Sequence, residues 1–386
     1  MDPTGAVLRS ELSSITRRIL DENLRMQPGE RGLFFTDSMS RVEEDHESPL
    51  ACKRRFLHAF FESFVEAAVS TQLEGDKYES TGLDGAEPRE NIWKMAFGAR
   101  IYDALLQEDL IWPVKEEVEI SSEQKKLISS LLRKHRSDIV DCVVAFPWYS
   151  TTHTRFRDLL TSAGARYVSM PQFTERVLMG PMQASPSELK RVTGAVHCAL
   201  QGVARVVVTD PVGTCLSFSI EPDAPILLDD GDFSYPGAFG NLPAGEVYMS
   251  PADGTANGML VLTSCPGHSN IEPVHLHVEE GFVTAVEAAP YAVHLEKLFK
   301  WDPAMRNIAE FGIGTNARAR DISSEIEGEK VLGTCHIALG DDSTIGGHTE
   351  AREHIDYILR QPSVSIECLD GPSVRLLEAG KLCIQV

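Results

Sequence analysis

Five residues in the second half of this sequence are of the types that bind and use cations. They are Glu246 in "NLPAGEV", Glu310 in "AEFGIGTN", His336 in "GTCHIALGDD", and His354 and Asp356 in "HID". Hydrolysis at a pair of metal ions needs such a set: carboxylates and imidazoles must converge on ions about 3.5–4 Å apart, often with one carboxylate as bridge. Taken singly, each residue also has an ordinary reading. Glu246 can decorate a turn, Glu310 can sit at a strand edge, and His336 can be a core histidine bonded to a carbonyl. The His-x-Asp pair ligates one ion only if its segment is extended. In a strand, residues i and i+2 share a face, whereas in a helix they diverge by about 200°. "TEAREHIDYIL" looks helical, so the chemistry and the local pattern disagree there. Around Glu310 the glycines are informative. Gly312 and Gly314 alternate with Phe311 and Ile313, and a strand tolerates two glycines where something approaches its backbone closely.

Other candidates are weaker. His275 and His277 share a strand face without a third donor nearby in sequence, so a surface or core role is expected. His294 lies on an amphipathic helix. Arg318 and Arg320 in "GTNARAR" suit a substrate carboxylate or plain solvation, and His153 opens a helix of the first half. No G-x-G-x-x-G follows the first strand and no G-x-S-x-G elbow occurs, which argues against a nucleotide site and a serine hydrolase.

The elements that must position these residues change in style along the chain. Leu8, Leu12, Ile15 and Ile19 share one helix face, and "QPGE" stops that helix. "RGLFFTD" then reads as a buried strand before a Phe-rich helix. Helical "EQKKLISSLLRKH", apolar "DIVDCVVAFP", helical "TRFRDLLTSAG", the strand "ARYVSMP" and helical "SPSELKRVTGAVHCALQG" continue the alternation. Strands alternating with helices over residues 1–203 predict a doubly wound, mainly parallel sheet. From residue 204 short strands and Gly turns dominate, as in "VHLHVEEGFVTAVEA", a hairpin across "EEG". The fold class expected is therefore α/β, with an N-terminal domain at 1–203 and a β-rich α+β metal-site domain at 204–386.

Composition bounds the function. The chain has 386 residues, too many for one simple core. Basic residues number 36 and acidic ones 57, a formal charge of −21, which argues against a basic face for nucleic acid or anionic membrane. The eight cysteines form no C-x-x-C pair, and they read as reduced thiols rather than zinc ligands. The N-terminus lacks a signal-peptide core and no stretch reaches the roughly 18 apolar residues of a membrane span, so a cytoplasmic location is expected.

Taken together, the order "NLPAGEV", "AEFGIGTN", "EKVLGTCHIALGDD" and "HID" resembles the M29 metallopeptidases, the aminopeptidase T-like family. "VVVTDPVGTCLSFSI" is also similar to the family's interdomain strand pair. The resemblance covers most of residues 204–360, and the N-terminal half matches in style alone. It implies a site of two divalent ions (zinc, cobalt or manganese) held by Glu246, Glu310, His336, His354 and Asp356. Glu310 or Glu246 would bridge, and a metal-bound hydroxide would attack an amide or N-terminal peptide bond. It also implies a homodimer acting on a small molecule or short peptide. One departure stands out: where the peptidases carry a tyrosine seven residues after the ligand histidine, this chain has Ser343, flanked by Asp341 and Asp342, which could replace a ligand. The same superfamily includes the 2,5-dihydroxypyridine dioxygenases, which bind a single Fe(II) through two His and one Asp, in line with the facial-triad pattern. That resemblance implies an alternative, a ring-cleaving dioxygenase. The missing tyrosine leaves a third, a metal-binding homologue that does not hydrolyse.

Overall fold

The computed structural model describes residues 3–39, 48–68, 72–79, 81–82, 85–111, 121–152, 154–369 and 371–386; His153 lies outside them. The chain forms two compact units. One is Met1–Met182 with Gly231–Leu242, the other Gln183–Asp230 with Pro243–Val386.

The first unit is built on strands β1 (Arg31–Ser38), β2 (Gln72–Glu79), β3 (Cys142–Ala145) and β4 (Arg166–Ser169). The chain then forms β5 (Val203–Thr209), β6 (Cys215–Ser219) and β7 (Leu227–Asp229) of the second unit, and returns for β8 (Phe239–Asn241). The first sheet has the order β2-β1-β3-β4-β8, and every pairing is parallel. Such a sheet must be covered on both faces, which is why "GLFF" carries no polar residue. Successive side chains of β1 point to opposite faces. Phe34 packs on Phe61 and Phe64, while Phe35 packs on Tyr78 and Phe156. The doubly wound expectation holds. "ENIWKMAFGARIYDALLQ" forms two helices, Glu90–Phe97 and Ala99–Gln107, because Gly98 between them takes φ +75°. The segment after the Phe-rich helix Pro49–Ala68 is β2, a half-exposed edge strand.

The second unit continues with β9 (Glu246–Met249), β10 (Asn257–Leu262), β11 (Val274–Glu279) and β12 (Phe282–Val286). It ends with β13 (Ile308–Gly314), β14 (Cys335–Gly340), β15 (His354–Leu359), β16 (Ser363–Cys368), β17 (Val374–Glu378) and β18 (Lys381–Leu382). An eight-stranded sheet runs β12-β11-β10-β6-β5-β16-β17-β18, and a five-stranded sheet runs β15-β14-β13-β9-β7. Their pairings are all antiparallel. One core joins the two sheets: Val206, Leu216, Phe218, Leu260 and Leu276 from the larger, Val247, Met249, Phe311, Ile337 and Leu359 from the smaller. The Phe218 and Phe311 rings meet at 5.4 Å.

Helix Pro186–Leu200 belongs to this second unit, since Val196 and Leu200 enter its core. The contacts therefore divide the chain at 182/183, and residues 231–242 rejoin the first unit because β8 pairs with β4. Among the described residues no helix is long and apolar enough to cross a membrane.

Candidate metal centre

The five-stranded sheet has one apolar and one polar face, and its registry explains both. Opposite each other across β9, β13, β14 and β15 stand Tyr248, Gly312, His336 and Ile358. The next row holds Glu310, Ala338 and Asp356, while Glu246 faces Gly314 on one side and Asp229 on the other. Because side chains alternate, Val247, Met249, Phe311, Ile313, Cys335, Ile337, Leu339, Tyr357 and Leu359 point the other way, into the core. Ile308 also lies in that core although it is three residues from Phe311. The pairing with β14 shifts register between Ile308 and Glu310, so one extra residue re-aims the strand and brings Glu310 to the polar face.

The segment His354–Leu359 is a strand, so His354 and Asp356 share a face despite the helical look of the sequence. Sheet pairing with β14 overrides the local preference.

The glycines serve two close approaches. A Cβ on Gly312 would lie 2.0 Å from His336 Nε2, so the bare backbone makes room for the imidazole. A Cβ on Gly314 would lie 2.1 Å from the Val331 carbonyl oxygen, so the loop before β14 rests directly on β13.

All five sequence-predicted residues meet on this face, and consecutive contacts link them. Glu246 Oε2 is 3.6 Å from His336 Nε2, which is 2.9 Å from Glu310 Oε1. Glu310 Oε2 is 3.4 Å from His354 Nε2, which is 3.6 Å from Asp356 Oδ1. Glu310, His354 and Asp356 each offer a donor atom, all within 4.8 Å of one another, and they are the three-donor group among the described residues with the spacing to hold a cation. His336 is wholly buried, Glu310 and Glu246 nearly so, and His354 keeps 29% of its side chain exposed.

The donor chemistry fits a metal ion. His354 Nδ1 lies 2.6 Å from the Asp341 backbone carbonyl and donates to it. In the neutral imidazole that fixes the tautomer, so that Nε2, the atom facing the two carboxylates, is the one able to ligate an ion. Asp356 Oδ1 is buried without a hydrogen-bond partner, as are Glu246 Oε2 and His336 Nδ1.

Protonation follows the same geometry. Burial alone would raise Glu310 and Asp356, but the adjoining imidazoles outweigh it and hold both below the ordinary carboxylate range. Burial lowers the imidazoles, yet the bond to Glu310 and the field of Asp356 and Glu246 lift His336 to about 9. His354 rises in the same way, chiefly through Asp356.

Several residues of this face escaped sequence reasoning. Lys330 is buried, with its ammonium bonded to Glu246 Oε1, 2.8 Å from Glu329 Oε2 and 3.6 Å from Asp229 Oδ2. Burial opposes its charge, but these carboxylates hold its pKa well above the ordinary lysine value. Glu329 is pushed up to about 8 by burial. Tyr248, half-buried, is raised well above the ordinary phenol, by burial first and then by Glu246 and Glu310. Lys330 stands six residues before His336 in a stretch already singled out, but nothing in "EGEKVLG" marks its lysine as buried. Asp229 becomes visible through its pairing with Glu246.

The remaining candidates go elsewhere. Asp342 accepts from Asn307, Ser250 and the Thr349 backbone, and Asp341 accepts from Ser343 and the Ala351 backbone, so both carboxylates tie the loop after β14 together. Ser343 is exposed at that loop. His275 and His277 are half-buried and face Glu287 at 3.5 and 3.1 Å. His294 stacks on Tyr291, and Arg318 and Arg320 are exposed.

Comparison with known proteins places this geometry. No curated protein matches the chain. Among solved structures, the 2,5-dihydroxypyridine dioxygenase from Pseudomonas putida KT2440 is similar, with a TM-score of 0.67 at 17% identity over 97% of each chain. Wild-type AmpT from Thermus thermophilus is similar with a TM-score of 0.58 at 13% identity, over 97% of this chain and 99% of that one. At these identities both show a shared fold. The model of the NicX family, 2,5-dihydroxypyridine 5,6-dioxygenase, matches residues 113–383 and so runs through every strand of the polar face; on that match, the chain belongs to the 2,5-dihydroxypyridine 5,6-dioxygenase family.

Proposed function

We propose that this chain is a dioxygenase that opens a hydroxylated, nitrogen-containing aromatic ring at a single divalent metal ion. The observation that carries the reading is the family match across residues 113–383, because the three-donor group Glu310, His354 and Asp356 lies within it. Each of the three would give one ligand atom, and the open coordination positions would serve substrate and dioxygen. The donors depart from the facial triad of two His and one carboxylate that is typical of oxygen-activating iron. Here they are one imidazole and two carboxylates, a harder, more anionic set that suits Mn(II) as well as Fe(II).

The metal would supply a Lewis acid and, if redox-active, the electrons that make dioxygen reactive. The protein's own residues do the rest. His336, fully buried, donates from Nε2 to Glu310 Oε1 and holds it in one orientation. The Asp341 carbonyl holds His354. Gly312 leaves room for the His336 imidazole that holds Glu310. Tyr248 keeps its phenolic proton on the same face, as a donor toward a substrate hydroxyl.

A second reading, amide hydrolysis at two ions, has one observation in its favour: all five M29-type residues meet on the face, in a fold shared with AmpT. The test is oxygen uptake. Metal-free protein is loaded anaerobically with Fe(II) or Mn(II), then given air and 2,5-dihydroxypyridine in an oxygen electrode, or an amino-acid p-nitroanilide in a spectrophotometer. Uptake dependent on the pyridine supports ring opening. Release of nitroaniline without uptake overturns it.

A further inference from the structure

We infer that Lys330 is the second cation of this centre: an ammonium fixed among Asp229, Glu246 and Glu329 where a second metal ion would otherwise sit, so that the protein takes one ion. The inference rests on the reading of Glu310, His354 and Asp356 as ligands of the first ion.

Three observations carry it. First, the ammonium is spent on the residue a two-ion site would need. Glu246 gives Oε1 to Lys330, and its Oε2 lies 3.6 Å from His336 Nε2. Second, three carboxylates close on one lysine that is 1% exposed. Asp229 and Glu246 pair across neighbouring strands, and the Lys330 ammonium between them offsets the repulsion that two buried carboxylates would otherwise feel. Third, the lysine is anchored rather than swinging. Its carbonyl accepts from the Asn316 backbone at 2.8 Å, its backbone N–H donates to the Glu327 carbonyl at 3.1 Å, and Val331 bridges Asn316. Gly314 lets this loop lie on β13, which drives the side chain onto the polar face beside Glu246. A lysine ammonium has no lone pair while protonated and cannot share its place with a metal ion.

The experiment is metal stoichiometry, read by equilibrium dialysis with elemental analysis and by calorimetric titration of apo protein with Mn(II) and with Zn(II). The wild type is expected to bind one ion per chain. Lys330→Ala frees Asp229, Glu246 and Glu329 and is expected to bind two. Glu246→Gln, which leaves the first site's ligands in place, is expected to stay at one. Two ions in the wild type, or one ion in a folded Lys330→Ala, would overturn the inference while leaving the first site standing. No ion in the wild type would overturn the metal-centre reading and this inference with it. If circular dichroism shows Lys330→Ala unfolded, Glu246→Gln decides: an unchanged count supports the ammonium, and a lost ion overturns it.

Discussion

His336 separates two accounts of the centre. If it positions Glu310 and touches no metal, His336→Gln should weaken metal binding about 10–100-fold, as for other residues that orient ligands, and leave one ion per chain at saturation. If it is a ligand of a second ion, an ion should vanish from the count. Dialysis at high metal concentration distinguishes the two. Glu310→Ala reaches further, because it removes a donor. It should abolish metal binding and drop turnover by orders of magnitude, while far-ultraviolet circular dichroism stays native, since the fold has its own core. Gly312→Ala tests the floor of the site. The added methyl would meet His336 Nε2 at 2.0 Å, and the ring is wholly buried with little room to shift. Stability should fall by about 1–3 kcal/mol in urea denaturation, the usual cost of overpacking, and metal affinity should fall with it. An unchanged Gly312→Ala protein would mean that the imidazole does not lie over this glycine.

At the scale of elements, sheet pairing decides what local sequence could not. The alternation of Glu310, Gly312 and Gly314 with Phe311 and Ile313 was legible as a two-faced strand with a close approach on one side. What approaches was not, because His336 and the Val331 carbonyl come from 17 or more residues away. "HID" reads as helical from its neighbours, and pairing with β14 makes it a strand. The five candidate residues that meet on the polar face were legible as types and in order. Lys330 was not, because a lysine's burial depends on partners in three other segments. In the first unit, helix Arg155–Ser162 begins over the Glu87 carboxylate, which accepts from the Arg155 and Phe156 backbone N–H groups. Burial raises Glu87 from 4.5 to about 7 against those bonds. A carboxyl raised on folding favours the folded state in its protonated form. Its contribution is therefore full below about pH 4.5 and lost as pH rises toward 7. The loss is at most about 3 kcal/mol. Denaturant titrations between pH 4.5 and 8 should show wild-type stability falling relative to Glu87→Gln; parallel curves would contradict the shift.

The whole molecule has a parallel α/β unit and an antiparallel sandwich that carries the candidate site, and the α/β class with its mix of parallel and antiparallel strands was legible in the change of pattern along the chain. The units themselves interleave: residues 183–203 pack with the sandwich and residues 231–242 with the parallel sheet, through long-range pairings that no local signal announces. An ion bound only by the folded sandwich must stabilise it. At a free metal concentration a hundredfold above Kd the gain is about 2.7 kcal/mol, visible as a rise in melting temperature that a chelator reverses and that Asp356→Ala abolishes. The central claim is that a metal held by Glu310, His354 and Asp356 directs dioxygen into an aromatic ring. The most direct measurement is mass spectrometry of the product formed by Fe(II)-loaded or Mn(II)-loaded protein from 2,5-dihydroxypyridine under isotopically heavy dioxygen. Ring-opened product carrying both heavy oxygen atoms is the expected result. Unchanged substrate under both metals would contradict it, and label from heavy-oxygen water entering the carboxylate released from an amino-acid amide in a parallel reaction would leave a hydrolase.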